Sequence, residues 1–169
     1  MADSFQTPRL TLRRMEYGDA QALHVFFSDP VAMEFWSAPH ESFEDTTKWV
    51  RGTVDAPAEE TCEFVLVLDG VTIGKAGIWK KPELGYFLTR AHWGQGLMTE
   101  ALRVLIPHLH EAMDLPVMKA DITPENVASA RLLTKMGFTE TRRAQNDHWD
   151  GQKWCDTAYF ERHRDAPIS

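Results

Sequence analysis

An extended run that passes through two closely spaced glycines into an amphipathic helix constrains this chain more than any other feature. From Glu83 the sequence reads ELGYFLTRAHWGQGLMTEAL. Glu83 to about Thr89 has the character of a strand. From Gly94 or Gly96 onward, Met98, Leu102, Leu105 and Leu109 recur at spacings of 4, 3 and 4, which is one face of a helix. A strand that enters a helix through G-x-G leaves several backbone N–H groups at the turn without helical partners. With the helix dipole behind them, those donors suit an anion such as phosphate, and glycine removes the β-carbon that would hold it away. The same turn can simply let a helix pack closely on a sheet. It is not a nucleotide-hydrolase phosphate loop, because no Lys-Ser/Thr pair follows the second glycine. Nor is it a dinucleotide fingerprint, because the third glycine is missing. Pro107 falls inside the helix, where its ring meets the Arg103 carbonyl, so a kink or an early end is expected.

The flanking sequence predicts a mixed α/β layout with one sheet and helices packed on it. RLTLRRM alternates as a first strand, Leu10 to Arg14. Leu23, Phe26 and Phe27 then recur at helical spacing until Asp29-Pro30. Ser42, three residues before Asp45, reads as the cap of a second helix, with Phe43, Thr46 or Thr47, and Val50 along one face. Two β-rich runs meet at Asp69-Gly70, a strong hairpin signal. VMKADIT is a further strand, and NVASARLLTKMGF a helix capped by Asn126 and stopped by Gly137. Two last strands turn at Asp150-Gly151. The expectation is a single domain over residues 1–169, with about seven strands in a mixed, mostly antiparallel twisted sheet and about four helices.

Composition mainly excludes. A net charge of -7 argues against a nucleic-acid binder, which needs clustered positive charge. No apolar run reaches the roughly 18 residues of a membrane helix, so no membrane partner is expected. Two cysteines, and an opening MADSFQTPRL without the basic and apolar parts of a signal peptide, point to a reduced, cytoplasmic location. The histidines lack zinc-ligand spacing: His108 and His110 are only two apart. No metal is expected.

Taken together, ELGYFLTRAHWGQGLMTEAL and the later NVASARLLTKMGF resemble the acetyl-CoA signature of the GCN5-related N-acetyltransferase (GNAT) superfamily. TPRLTLRRMEYGDAQAL and GQKWCDTAYFE are similar to the opening and closing elements of its RimJ/RimL-like branch. The resemblance implies a direct transfer of acetyl from acetyl-CoA to a primary amine, on a protein N-terminus or a small molecule, in a ternary complex. It further implies that Phe87, Leu88 and Thr89 offer backbone to the pantetheine arm, and that the amides from Trp93 through Gly94, Gln95, Gly96, Leu97 and Met98 hold the pyrophosphate. The amide near Leu88 would be the oxyanion donor. Asn126 and Ser129 occupy the family's N-x-x-S positions, Ser129 as proton donor to the departing thiolate and Asn126 toward the cofactor or a water. Glu83 falls where many members carry a water-coupled base. Ala91 replaces a side chain that commonly reaches the phosphate, and Arg90 is the substitute at hand.

Each of these residues also has a plainer reading. Asn126 can be only a cap, Ser129 only a small residue at a packing point, and Glu83 only the start of an exposed strand. Glu100 reads as a favourable charge near a helix N-terminus. Met33, Phe35, Trp36 and His40 fall in the segment where the resemblance implies an acceptor wall, and Trp36 and Trp149 are the candidate acceptor contacts. The resemblance also admits a homodimer. A non-catalytic acyl-CoA-binding sensor or assembly factor would use the same glycine turn, and differs in binding the cofactor without turnover.

Overall fold

The computed structural model describes residues 4–169. Asp69 and Gly70 both take positive φ, 50° and 81°, as a two-residue hairpin turn requires. They join β3 (Cys62–Leu68) to β4 (Val71–Lys80), and β4 continues antiparallel into β5 (Glu83–Leu88). β2 (Thr11–Arg14) pairs with β3 on the far side. Outside it lies β1 (Ser4–Gln6), a strand of only three residues with too little alternation to be read from sequence. It raises the expected seven strands to eight among the described residues. The sheet closes its order as β1-β2-β3-β4-β5-β6-β8-β7 with β6 (Val117–Ile122), β7 (Thr139–Trp149) and β8 (Trp154–His163). Every neighbouring pair is antiparallel except β5 and β6.

Among the described residues four α-helices cover the sheet: α1 (Ala20–Phe27), α2 (Phe43–Val54), α3 (Leu97–Ala112) and α4 (Val127–Lys135). α2 opens with the reciprocal cap its sequence predicts, the Asp45 N–H donating to Ser42 Oγ and the Ser42 N–H to Asp45 Oδ2. Thr46 and Val50 turn inward, but Phe43 in the first turn is half exposed and packs edge-on against His24. α3 neither ends early nor stops at Pro107; it runs on to Ala112. Leu105, Ile106 and Leu109 around the proline are fully buried. At roughly 1.5–3 kcal/mol each, their burial outweighs the ~3 kcal/mol a helical proline costs. The last hairpin is also wider than a two-residue turn: Asp150 Oδ1 accepts the N–H groups of Gln152 and Lys153, and Gly151 takes φ 102°.

Two cores result. α3 and α4 cover one face, over Leu12, Phe64, Leu66, Ala158 and Phe160. α1 and α2 cover the other, over Val65 and Phe87. β5 and β6 touch at one bridge, Glu83 to Lys119, after which β6 leaves β5 and zips onto β8 along its whole length. The sheet therefore opens in its middle, and the glycine turn lies at the end of the strand that forms one lip.

Candidate active site

The β4–β5 register determines which backbone groups line the opening. The Thr89 N–H donates to Ile73 O at 2.8 Å, and Lys75 is paired with Phe87. N–H and C=O groups alternate sides along a strand, so Phe87 and Thr89 give their backbone to β4. Leu84, Tyr86 and Leu88 turn theirs toward the opening. Of the three residues expected to offer backbone there, only Leu88 does so, and Tyr86 joins it. Leu88 O is partly spent, because the Trp93 indole donates to it at 2.9 Å. That bond folds Trp93 back over the strand end.

Beyond Leu88 a short 3-10 turn (Arg90–His92) leads to the glycines. Gly94 and Gly96 have φ values of 71° and 74°, a region costly to residues with a β-carbon. An added Cβ at Gly94 would meet no protein atom within 4 Å. The space beside it is open. Gly96 caps α3 without any side-chain acceptor, and the N–H groups from Gly94 through Met98 find no intramolecular partner among the described residues. Unpaired donors at the positive end of a sixteen-residue helix make a site that fits a pyrophosphate. Arg9 braces the turn from outside, donating to Gln95 O and to Glu100, while Glu100 also accepts from Thr7. Glu100 is thus a strut: burial pushes its carboxyl up, and the bonds from Thr7 and Arg9 together outweigh that and hold it below the usual range. Arg90 points elsewhere: its guanidinium pairs with Asp29 at 3.0 Å.

α4 supplies the opposite lip. Asn126 Oδ1 accepts the Ser129 N–H at 3.1 Å, the cap that starts the helix. Ser129 Oγ lies 2.6 Å from the Tyr86 hydroxyl, so β5 and α4 are tied across the opening. Burial pushes the Tyr86 phenol well above its ordinary pKa, against the pull of the Ser129 bond. Tyr86 is the residue that sequence reasoning missed; the only signal was an aromatic at an even position of the strand, and its partner is 43 residues away.

Glu83 sits at the closed end of the opening, where β5 meets β6. Burial raises its pKa first, Asp121 and Glu161 add to that, and Lys119 and Lys80 oppose it. At about 3.3 Å per residue, Glu83 is roughly 16 Å from Leu88 and 10 Å from Tyr86 along the strand. Any proton it takes from near those amides must cross water. On the α1–α2 face, Trp36 packs on Phe26 and Phe87, and His40 stacks on Phe27 while bonding Thr46. Met33 is core. The Ala38 N–H donates to Asp150 O at 2.9 Å, so the α1–α2 segment reaches the β7–β8 turn. Trp149 is half exposed beside Trp154 and, by register, shares the face of Ala158 and Phe160 rather than that of Trp36.

A parted sheet, a glycine turn at a helix N-terminus and a capped second helix together define an acyl-CoA-type transferase fold, and the chain belongs to the GNAT acetyltransferases. The model of the acetyltransferase (GNAT) domain matches residues 9–139. An uncharacterized N-acetyltransferase p20 of Bacillus licheniformis is 30% identical over 146 residues, 80% of this chain and 82% of that one. Among solved structures, the GNAT-family acetyltransferase of Bacillus anthracis superposes with a TM-score of 0.82 at 23% identity, covering 95% of this chain and 98% of that one. RimL, a ribosomal L7/L12 alpha-N-protein acetyltransferase in complex with coenzyme A, gives 0.85 at 21%, covering 95% and 97%. The protein is an N-acetyltransferase.

Proposed function

We propose that this N-acetyltransferase binds acetyl-CoA in the opening between β5 and β6 and passes its acetyl group directly to a primary amine held on the α1–α2 face. The observation that carries this reading is the lip of β5, whose Tyr86 and Leu88 amides face the opening and lead straight to the unpaired amides of the glycine turn. The amine-bearing acceptor is a protein N-terminus or a small molecule, and the likeness to RimL, a ribosomal L7/L12 alpha-N-protein acetyltransferase, favours the former.

Acetyl-CoA supplies an acetyl group already activated as a thioester. The Gly94–Met98 amides hold the pyrophosphate, and Tyr86 and Leu88 hold the pantetheine end. One of those two amides donates to the thioester oxygen as negative charge builds on it. Holding amine and thioester together supplies much of the rate. Glu83, its pKa raised by burial, accepts through water the proton an ammonium must lose. Ser129 donates its hydroxyl proton to the departing sulfur.

Free-thiol release from acetyl-CoA is to be measured against peptides of varied N-terminus, polyamines and amino acids. Turnover on one class, with the product acetylated at nitrogen, is the expected result. Tight coenzyme A binding with no release on any class would overturn direct transfer and leave a binding module.

A further inference from the structure

Tyr86 does more than lend its amide. Its side chain reaches the α4 lip while its backbone faces the opening, so one residue touches both walls next to where the thioester must lie. The Ser129 N–H is already committed to Asn126 Oδ1, and the Tyr86 hydroxyl stands 2.6 Å from Ser129 Oγ, much nearer than its 3.5 Å to the Ser129 carbonyl oxygen. A serine in the first turn of a helix is otherwise free to rotate or to bond back to its own helix, and either orientation turns its proton away from the opening. Tyr86 prevents both. A phenol is far more acidic than an alkyl alcohol and is therefore the better donor of the pair; with the Tyr86 O–H pointing at Ser129 Oγ, the serine proton must point somewhere else. Burial keeps that phenol protonated throughout the neutral range.

We propose that Tyr86 is a positioning residue for Ser129: its hydroxyl donates to Ser129 Oγ, fixes the serine rotamer, and directs the serine proton into the opening between β5 and α4. The proposal rests on the reading of Ser129 as proton donor. In that step the C–S bond breaks and its electron pair leaves on sulfur. The N–C bond to the amine has formed by then and the carbonyl is regained. The Ser129 proton completes the thiol, and Ser129 Oγ, stabilised by the standing bond from Tyr86, is reprotonated through water by the proton that the amine lost to Glu83.

The test is a double-mutant cycle on the full chain with Tyr86→Phe, Ser129→Ala and both together, read by thiol release, with coenzyme A affinity and melting temperature measured alongside. Phenylalanine keeps the ring and the backbone, so all proteins should bind coenzyme A alike. Tyr86→Phe should lower kcat about tenfold, the ~1.4 kcal/mol scale of one directing hydrogen bond, with KM for acetyl-CoA within about twofold. The double variant should be no slower than Ser129→Ala alone, because Tyr86 acts only through Ser129. A wild-type kcat in Tyr86→Phe beside an impaired Ser129→Ala would overturn the Tyr86 proposal alone, as would losses that multiply in the double variant. Full activity in Ser129→Ala would instead remove the proton-donor reading on which it stands.

Discussion

The two faces of the sheet solve burial differently. Against α3, the interior is aliphatic: Leu10, Leu12, Leu66, Leu102, Leu105 and Leu109 are fully buried with Phe64. Its one buried charge among the described residues is Arg162, solvated by the carbonyls of Met136, His163, Arg164 and Ala166 and by His110. Against α1 and α2 the interior is aromatic and threaded with polar groups. Phe26 stacks on Phe87 at 3.8 Å, and Trp36 and Trp49 each lie within 6 Å of the Lys75 ammonium. Lys75 is only 1% exposed and donates to Glu63 Oε1, while Glu63 Oε2 is buried with no partner among the described residues. The difference follows from what each face supports. On the proposed function the α3–α4 face binds its cofactor through backbone amides, so the side chains behind it need only fill space. On the same proposal the α1–α2 face presents side chains to the acceptor, and rings with polar edges serve that purpose.

The sharpest way to break this comparison is at Lys75. Lys75→Met leaves Glu63 as an unpaired buried charge and should cost about 3–5 kcal/mol, whereas Lys75→Met combined with Glu63→Leu should recover most of it. Urea unfolding of the three proteins checks this, and a double variant as weak as the single would show that the pair is a true stabiliser. On the α3 face, Leu105→Ala should cost about 2–5 kcal/mol through the cavity it leaves, with no polar partner able to restore it. Gly94→Val comes next. An added side chain meets no protein atom there, so stability should fall only by the ~1–2 kcal/mol of left-handed strain. Coenzyme A affinity, measured by calorimetry, should fall more than tenfold; undiminished affinity would remove the turn from the site.

Acidification acts on a buried histidine of each face, and with the same sign. His110 donates from Nδ1 to Leu115 O and accepts at Nε2 from Arg162, which requires a neutral ring. Burial holds its pKa below the ordinary imidazole value, with Arg162 and Arg164 pushing the same way and the Leu115 bond opposing. The unfolded chain takes up this proton near pH 6.5 and the folded chain resists it. The stability is therefore present above about pH 6.5 and drains away as pH falls below that. His40, on the other face, is lowered chiefly by burial and shares the sign. Melting temperatures at pH 7.5 and 5.5 should show the loss, and His110→Gln should reduce it. The smallest effect is expected at Trp149. Being half exposed and on the α3–α4 side by register, Trp149→Ala should change stability by less than ~0.5 kcal/mol and leave acceptor KM unchanged, while Trp36→Ala should raise it.

Much of this molecule could be read from residues close together in the chain. The Asp69-Gly70 hairpin, the Ser42–Asp45 cap, the Asn126 cap and the Gly94–Gly96 turn each depend on contacts within a few positions, and backbone sterics with hydrogen bonding determine them locally. β1 was too short to show a period. Pro107 misled because a local penalty was outweighed by burial against a sheet that no local rule describes. Arg90 looked available to a phosphate only because Asp29, its partner, lies 61 residues earlier.

By itself, then, the sequence determined the elements, the turn that fits an anion and the family resemblance, because each is written in short-range spacing. Tertiary structure decided what those pieces do to one another. Whether Phe87 or Tyr86 faces the opening depends on the register with β4, and whether there is an opening at all depends on β6 choosing β8 over β5. Tyr86 meets Ser129 only because α4 is laid against that same opening. Sheet register and helix placement are set by burial summed over the whole chain, and no local stretch of residues contains that sum.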